Sequence, residues 1–412
     1  MGEDTLGKHL DFSNGRSSPN RHEKGKYPVF GSNGLIGFAD ETNAPAGTTI
    51  IGRVGSYCGS LHFSKQPCWV TDNAIKAAPK RNGEGRFWFY ALRTLNLEDL
   101  RSGSGQPLIN QTALRAVTVA GIAYADSSSI ANILSALDDK IELNRRTNET
   151  LEAMAQAIFR DWFVDFGPVR RKMQGETDCT TILGGLIDNP HQATTLATLF
   201  PDTLGENGVP QGWNTVPVYD LANWINGAAF KKMHFVDRLR GLPVVKIAEL
   251  KSGITEQTKF TDTQLDTKFR IKNRELLFSW SGNPDTSIDA FVWTGGDAWL
   301  NQHIFAVREN GRRSLATLHT QLKALMPVFA EIARDKQTTG LGHVTRQDMK
   351  MLEVVEPDSA LLQAFDTIVS PLYQRQIENE IQNQTLAQTR DYLLPKLMSG
   401  QVRAGETQGM RT

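Results

Sequence analysis

Apolar side chains from position 130 onward fall at Ile130, Leu134, Leu137, Ile141, Leu151, Ala155, Ile158 and Trp162, with Asn144 and Asn148 filling the central steps. The spacing alternates four and three without a break, which is the seam of a helix built to pair with another. Asp126-Ser127-Ser128-Ser129 offers N-cap residues and Gly167-Pro168 a stop, so a helix is predicted over 126–166. A shift of 235 positions, from 148 to 383, gives Phe365, Val369, Leu372, Gln376, Asn379, Asn383, Leu386, Arg390, Leu393 and Leu397. The same rhythm predicts a second helix over 358–399, again polar in the middle and apolar at the ends.

The echo is wider than the helices. Asn148-Glu149-Thr150-Leu151 matches Asn383-Gln384-Thr385-Leu386, and upstream Ile109-Asn110 aligns with Val344-Thr345, Leu114 with Met349, Val117 with Leu352 and Val119 with Val354. Each copy reads as a Gly-rich loop, a short apolar strand and a long helix. A period this long is a duplicated module with its helix, since solenoid repeats recur every 20–50 residues or so. Each helix, roughly 35 residues long, would extend about 50 Å. Antiparallel pairing would bring Asn144 and Asn148 against Asn379 and Asn383, with Leu137, Ile141, Leu151, Leu372 and Leu386 completing the contact. Buried polar residues in such a seam fix its register. The fold class expected is α+β: two globular α/β modules in pseudo-twofold arrangement, separated by an antiparallel coiled coil. The boundaries predicted are a module over 1–125, helix 126–166, linker 167–212, a second module over 213–357, helix 358–399 and a flexible tail 400–412.

Within the modules, alternation and turn residues predict strands over Thr48–Gly55 and Cys68–Lys76, repeated loosely by Glu275–Gly282 and Ala298–Phe305. At 412 residues with 40% hydrophobic content the chain can bury real cores. Formal net charge is zero, so charge alone names no partner. Basic residues nevertheless cluster early in each copy: Arg16, Arg21, His22, Lys24 and Lys26, then Lys231, Lys232, His234, Arg238 and Arg240. Three cysteines at irregular spacing argue for a reducing compartment, and Cys58, His62 and Cys68 lack the spacing of a metal site. No leader or membrane-length apolar run is seen, so a cytoplasmic protein is expected.

Catalytic signatures are missing. The sequence holds no phosphate loop, no G-x-S-x-G and no H-E-x-x-H. Gly103-Ser104-Gly105 follows no predicted strand, and Asp188-Asn189-Pro190-His191 lacks the second proline and the aromatic residue of an amino-methyltransferase loop.

Tyr27-Pro28-Val29-Phe30-Gly31-Ser32-Asn33-Gly34-Leu35-Ile36-Gly37, Ile50-Ile51-Gly52-Arg53-Val54-Gly55 and Trp69-Val70-Thr71-Asp72-Asn73-Ala74 closely resemble the target-recognition domain of type I restriction–modification specificity subunits. The stretch from Asn148 to Phe166 resembles that family's central spacer helix, and Leu394-Pro395-Lys396-Leu397-Met398-Ser399-Gly400 its C-terminal signature. The likeness runs through nearly the whole chain in the expected order. It implies a DNA-binding subunit without chemistry of its own. Each recognition domain would read one half of a bipartite asymmetric site, with the helices setting the gap. Two methylation subunits would dock on the helices and modify adenine N6 with S-adenosylmethionine. Two restriction–translocase subunits would use ATP and Mg to move and cut unmethylated DNA. No cofactor, metal or membrane is expected on this chain.

For DNA contacts the loops offer Lys26, Tyr27, Ser32, Asn33, Arg53, Ser56 and Tyr57 in the first module, and Lys231, Lys232, Ser279, Ser281, Lys336 and Thr338 in the second. Arginine can fork onto guanine, asparagine onto adenine, and serine, threonine or lysine onto phosphate. Arg53 could instead be held by a carboxylate inside the module. Two other readings stay open: a coiled-coil scaffold with two protein- or glycan-binding modules, which the neutral charge favours, and a hydrolase with unrecognised motifs.

Overall fold

The computed structural model describes residues 4–102, 107–119, 121–187, 189–337 and 341–404. Its contacts divide the chain into two units, Met1–Leu143 with Asn383–Thr412, and Asn144–Gln382. The division falls inside the long helices Ser127–Phe163 and Ser359–Met398, not at the module edges expected at 125 and 357. Each unit is thus a module with its own share of both helices.

In the first unit the strands are β1 (Leu10–Asn14), β2 (Tyr27–Gly31), β3 (Gly34–Ala39), β4 (Thr48–Gly52), β5 (Leu61–Ser64), β6 (Trp69–Val70) and β7 (Ala74–Pro79). An antiparallel sheet has the order β1-β7-β4-β5, and a smaller one the order β3-β2-β6, with β2 parallel to β6. Leu10, Phe12, Ile51 and Ile75 pack with Phe87, Trp88, Ala91 and Leu92 of the amphipathic helix Gly85–Arg93. Ile130, Ala131 and Leu134 join this core with Leu394, Leu397 and Met398, so the two helix segments run antiparallel here. Ala404 is buried in the same core and Val402 packs on it, so the stretch expected as a flexible tail is partly fixed in place. Polar contacts pin the module to the helices. The Tyr90 hydroxyl donates to Asp138 (2.6 Å), which also accepts from Arg390 (2.6 Å). Burial works against a charge on Asp139, but hydrogen bonds from Lys65 and Arg86 hold it below the usual carboxylate range.

The second unit contains β8 (Asn214–Pro217), β9 (Asn223–Asn226), β10 (Leu242–Val245), β11 (Phe260–Thr261), β12 (Arg270–Ile271), β13 (Glu275–Ser279), β14 (Ser281–Gly282), β15 (Asp289–Trp293), β16 (Ala298–Leu300), β17 (Ile304–Arg308), β18 (Gly342–His343) and β19 (Glu353–Glu356). The wiring of the first module recurs. The order β9-β17-β13-β15 matches β1-β7-β4-β5, and β11-β10-β16, with β10 parallel to β16, matches β3-β2-β6. A short helix then precedes the long one in each unit, Gln111–Ala116 capped by Asn110 and Arg346–Met351 capped by Thr345. In the second unit β19 follows that helix, where the sequence expects a short strand before the long helix. Leu114 and Met349, aligned by the echo, are both fully buried.

Three expected strands are broken: Glu275–Gly282 into β13 and β14, which pair in different sheets, and two others at corners. Cys68–Lys76 is split into β6 and β7, and Ala298–Phe305 into β16 and β17, each pair divided between two sheets. At both corners a glycine backbone presses on the turn. A Cβ on Gly15 would stand 2.0 Å from the Thr71 carbonyl oxygen, and one on Gly227 would stand 2.2 Å from that of Asn301. Matching hydrogen bonds hold them: Gly15 N to Ala74 O and Gly227 N to Ile304 O, both 3.0 Å.

Residues 167–212 are more than a linker. The first helix ends at Phe163, Phe166 takes a left-handed turn (φ 53°), and Pro168 opens a new helix, Gly167–Met173. Helices Cys179–Ile182 and Pro190–Ala197 follow. Val169, Leu183, Ala193, Leu196 and Phe200 cover the aromatic end of the long helix, where Phe159, Trp162 and Phe163 meet Phe365. Leaving so large an aromatic cluster in water would be costly, and this segment removes it from solvent.

The predicted polar layer is present in the second unit. Asn144 and Asn379 are each 2% exposed. Asn379 Nδ2 donates to Asn148 Oδ1 (2.8 Å), Asn148 Nδ2 to the Gln376 carbonyl (3.1 Å), and Asn144 Nδ2 to Gln382 Oε1 (2.8 Å). Asn144 thus bonds Gln382, the chain neighbour of the expected Asn383. The apolar seam also shifts. Leu361, Phe365, Val369, Tyr373 and Ile377 are the buried positions, while Leu372 is only half-buried. The bulky ends of the helix, not the heptad count, choose the inward face. Leu137, Ile141, Leu151, Asn383 and Leu386 are likewise half-buried.

Candidate nucleic-acid interface

Three turns of the first module meet at one backbone carbonyl. Asn73 O accepts from Arg53 N (2.9 Å) and from Ser32 Oγ (2.5 Å), while Ser60 Oγ donates to Ser32 O (2.5 Å). Gly34 closes the β2–β3 turn at φ 94°, and a Cβ there would meet the His62 ring at 2.9 Å, so this glycine is needed for both backbone angle and space. Burial in turn pushes His62 below its ordinary range. The loop after β4 is equally tight, with Gly52 N to Ser60 O and Gly59 N to Gly52 O both 2.8 Å. Around this node Asn33, Ser56 and Tyr57 are exposed. Side chains on so fixed a frame can reach a partner at little entropic cost.

Ser32, Asn33, Arg53, Ser56 and Tyr57 therefore share one surface. Among the described residues no carboxylate pairs with Arg53; its guanidinium donates to the Asp72 carbonyl at 3.4 Å. Lys26 and Tyr27 stand at the other end of the hairpin, where Tyr27 pairs with Ala39. Sequence reasoning passed over Asn73 and Ser60, which build the node; the turn preference of Asp72-Asn73 was the available signal.

The second module puts different chemistry at the same point of its wiring. Trp280 occupies the place of Arg53, its backbone N reaching His303 O (3.4 Å) and its Nε1 Asn226 Oδ1 (3.0 Å). Its ring packs near His303 and His343, and burial together with His343 holds His303 low. Ser279 and Ser281 flank Trp280 on the inner face and are buried, at 0% and 6% exposure, so neither can touch DNA as expected. Strand alternation turns them inward when Trp280 turns out. Lys336 is also corrected: its ammonium is paired with Asp348, the residue of the Thr345 capping box. Thr338 lies outside the described residues. Lys231 and Lys232 are exposed on the loop between β9 and β10.

That loop is the counterpart of the one between β1 and β2. Residues 16–26 and 231–240 each carry four Lys or Arg and one acidic residue. Among the described residues, Arg16, Lys24, Lys26, Lys231 and Lys232 have no ion-pair partner. Lys76 is pushed below its ordinary range by burial and then by the charge of Arg16. Both loops are therefore open patches of positive charge in a chain that is neutral overall.

Cys58 and Cys68 are buried, and among the described residues no group of His, Cys, Asp or Glu is placed to hold a metal ion. Nor is any helix among them long and apolar enough to cross a membrane.

Residues 8–153 match the family described as the type I restriction modification DNA specificity domain. The type I restriction enzyme HindI specificity subunit of Haemophilus influenzae is 25% identical over 310 residues, 66% of this chain and 66% of that protein. The MjaIX specificity subunit of Methanocaldococcus jannaschii is 23% identical over 375 residues, 88% of this chain and 79% of that protein. The solved S subunit of a type I restriction–modification system from M. genitalium shares the fold across 96% of both chains, with a TM-score of 0.56 at 16% identity. Residues 8–153 thus carry a type I restriction modification DNA specificity domain, and the chain as a whole, with its duplicated modules and paired helices, is similar to type I restriction–modification specificity subunits.

Proposed function

We propose that this chain is the DNA sequence-recognition subunit of a type I restriction–modification complex, non-catalytic itself, with each module reading one half of a bipartite target. The observation that carries this reading is the matched pair of open basic loops, 16–26 and 231–240, placed at the same step of two modules that share a strand order. Phosphate contacts from such loops supply affinity, while side chains at the corners read base edges. The different corners, Arg53 in one module and Trp280 in the other, suit two different half-sites.

The helices carry the chain from one module to the next and set the gap between half-sites. Two methylation subunits dock on them and supply S-adenosylmethionine; two restriction–translocase subunits supply ATP and Mg. No cofactor is held by this chain. A scaffold with two protein- or glycan-binding modules is the competing reading, and neutral net charge is its only support.

A gel shift separates the two. The chain, alone and with its methylation subunits, is titrated against random duplexes at low and moderate salt. Salt-sensitive binding is expected, and its absence even with the partner present sinks the DNA reading. Inserting four residues after Asn144 is expected to change the tolerated gap in the host methylome and to leave both half-sites intact.

A further inference from the structure

Leu239 is 99% exposed and Met233 is 82% exposed, the two most exposed large apolar side chains among the described residues. A leucine left in water forgoes about 2 kcal/mol of burial. Both sit on the basic loop of the second module, between Lys231, Lys232, Arg238 and Arg240. The loop is anchored. Val236 N bonds to Phe260 O (2.9 Å), Thr261 Oγ1 to His234 O (2.7 Å), and Arg240 N to Asp237 O (2.9 Å). Arg238 lies over the Phe260 ring, and Lys246 lies over Phe235, which stacks on Phe230. Gly241 lies so close to β11 that a Cβ would stand 2.3 Å from the Thr261 carbonyl oxygen. An apolar tip is thus held out on a rigid base with cations on both sides.

We propose that this tip is a wedge for double-stranded DNA: Leu239 enters between two base-pair steps, aided by Met233, while the flanking Lys and Arg side chains hold the phosphates. Apolar wedges that unstack a step and bend the duplex are a recurrent use of Leu and Met, and they need flanking positive charge to bring the duplex in. Charge favours DNA over a neutral or basic protein surface, because four cations against one acid attract a polyanion, gain nothing from a neutral surface and are repelled by a basic one. The first module's loop, Arg16 to Lys26, has the charge without a large apolar residue, so the wedge belongs to one half-site alone.

The proposal rests on the DNA-recognition reading, and the experiment separates the two. The full chain in complex with its methylation subunits binds its target duplex, identified from the methylome, with 2-aminopurine placed at successive positions. With the native chain a fluorescence rise is expected at one step of one half-site. Leu239→Ala is expected to abolish that rise and weaken specific binding roughly tenfold, about 1.4 kcal/mol, while binding to non-specific duplex stays within about twofold. An abasic gap at that step is expected to restore the affinity of Leu239→Ala. An unchanged fluorescence trace and affinity in Leu239→Ala overturn the wedge and leave DNA recognition standing. Loss of the methylation subunits from Leu239→Ala, with the native trace retained, also overturns it and makes the tip a protein contact. Failure of the native complex to bind DNA overturns both readings.

Discussion

The two modules share a strand order, a glycine-pressed corner and a basic loop, yet they differ wherever a side chain faces out. The first closes its β2–β3 hairpin with the tight Ser32-Asn33 turn; the second inserts Lys246–Lys259 there, with helix Ile247–Ser252 inside. The first offers Arg53 at the node, the second an aromatic cluster around Trp280. What is shared is backbone geometry held by hydrogen bonds and glycine contacts. What differs is borne by side chains that the scaffold does not need. Recognition can therefore change without refolding, which is what two half-sites of different sequence require.

The comparison can be broken in four ways. The largest effect belongs to the helix ends. Trp162 is fully buried against Phe163, Phe200 and Phe365, whereas the first unit closes on Leu394, Leu397 and Met398. Trp162→Ala is expected to cost about 3–5 kcal/mol and, in calorimetry, to lower one melting transition. A single transition that moves as a whole would erase the distinction between the units. The corners come next. Gly15→Ala and Gly227→Ala each drive a Cβ into a carbonyl oxygen and should cost similar amounts, about 3 kcal/mol by denaturant titration. A marked inequality would mean that the corners are not equivalent.

Third is acid sensitivity, a property of the second unit. His319 is buried at 6% exposure, and burial followed by the charge of Lys323 pushes it down to about 3. Glu152 of the long helix stands 3.9 Å away, Tyr373 of the C-terminal helix packs on the ring, and Asp289 of β15 binds Lys323. Since the unfolded imidazole binds protons near pH 6.5 and the folded one does not, stability is full above that pH. It falls as pH drops toward 3, by about 2 kcal/mol at pH 5. Burial raises Glu152, which opposes part of this loss. His319→Gln should flatten the pH dependence of melting, and an unchanged profile would place acid sensitivity elsewhere. The smallest effect separates reading from holding. Lys231→Ala or Lys232→Ala should each lower the slope of log affinity against log salt by about 1 with all sequences weakened alike. Arg53→Ala should instead relax preference in one half-site of the methylome.

The helices and the duplication were legible because a period written over many residues survives single exceptions. The 4-3 rhythm located both helices to within a few residues and placed Asn148 opposite Asn379. It failed to choose the inward face near Tyr373 and Ile377, where Tyr373 packs on His319, a residue of another helix far away in sequence. The corners at Thr71 and Asn301 were invisible for a similar reason. The residues that break those strands, Gly15 and Gly227, lie far away in sequence. In the first module five of the predicted contact residues do share a surface, because they sit in turns and turns are local. In the second, Ser279 and Ser281 were inferred from a strand end and proved buried, and Lys336 was already taken by Asp348. Leu239 carries no sequence signal at all; only its surroundings make it unusual.

The amide layer of Asn144, Asn148 and Asn379 has a consequence beyond holding two helices together. Its hydrogen bonds close together in one alignment of the two helices. Slipping by one heptad would leave several buried amides without partners at once, each costing about 1–3 kcal/mol. An apolar seam would tolerate that slip and hide it. Here a misaligned molecule is an unstable one, open to refolding or proteolysis. The layer acts as an error check on assembly, performed at the time of folding and before any DNA is met.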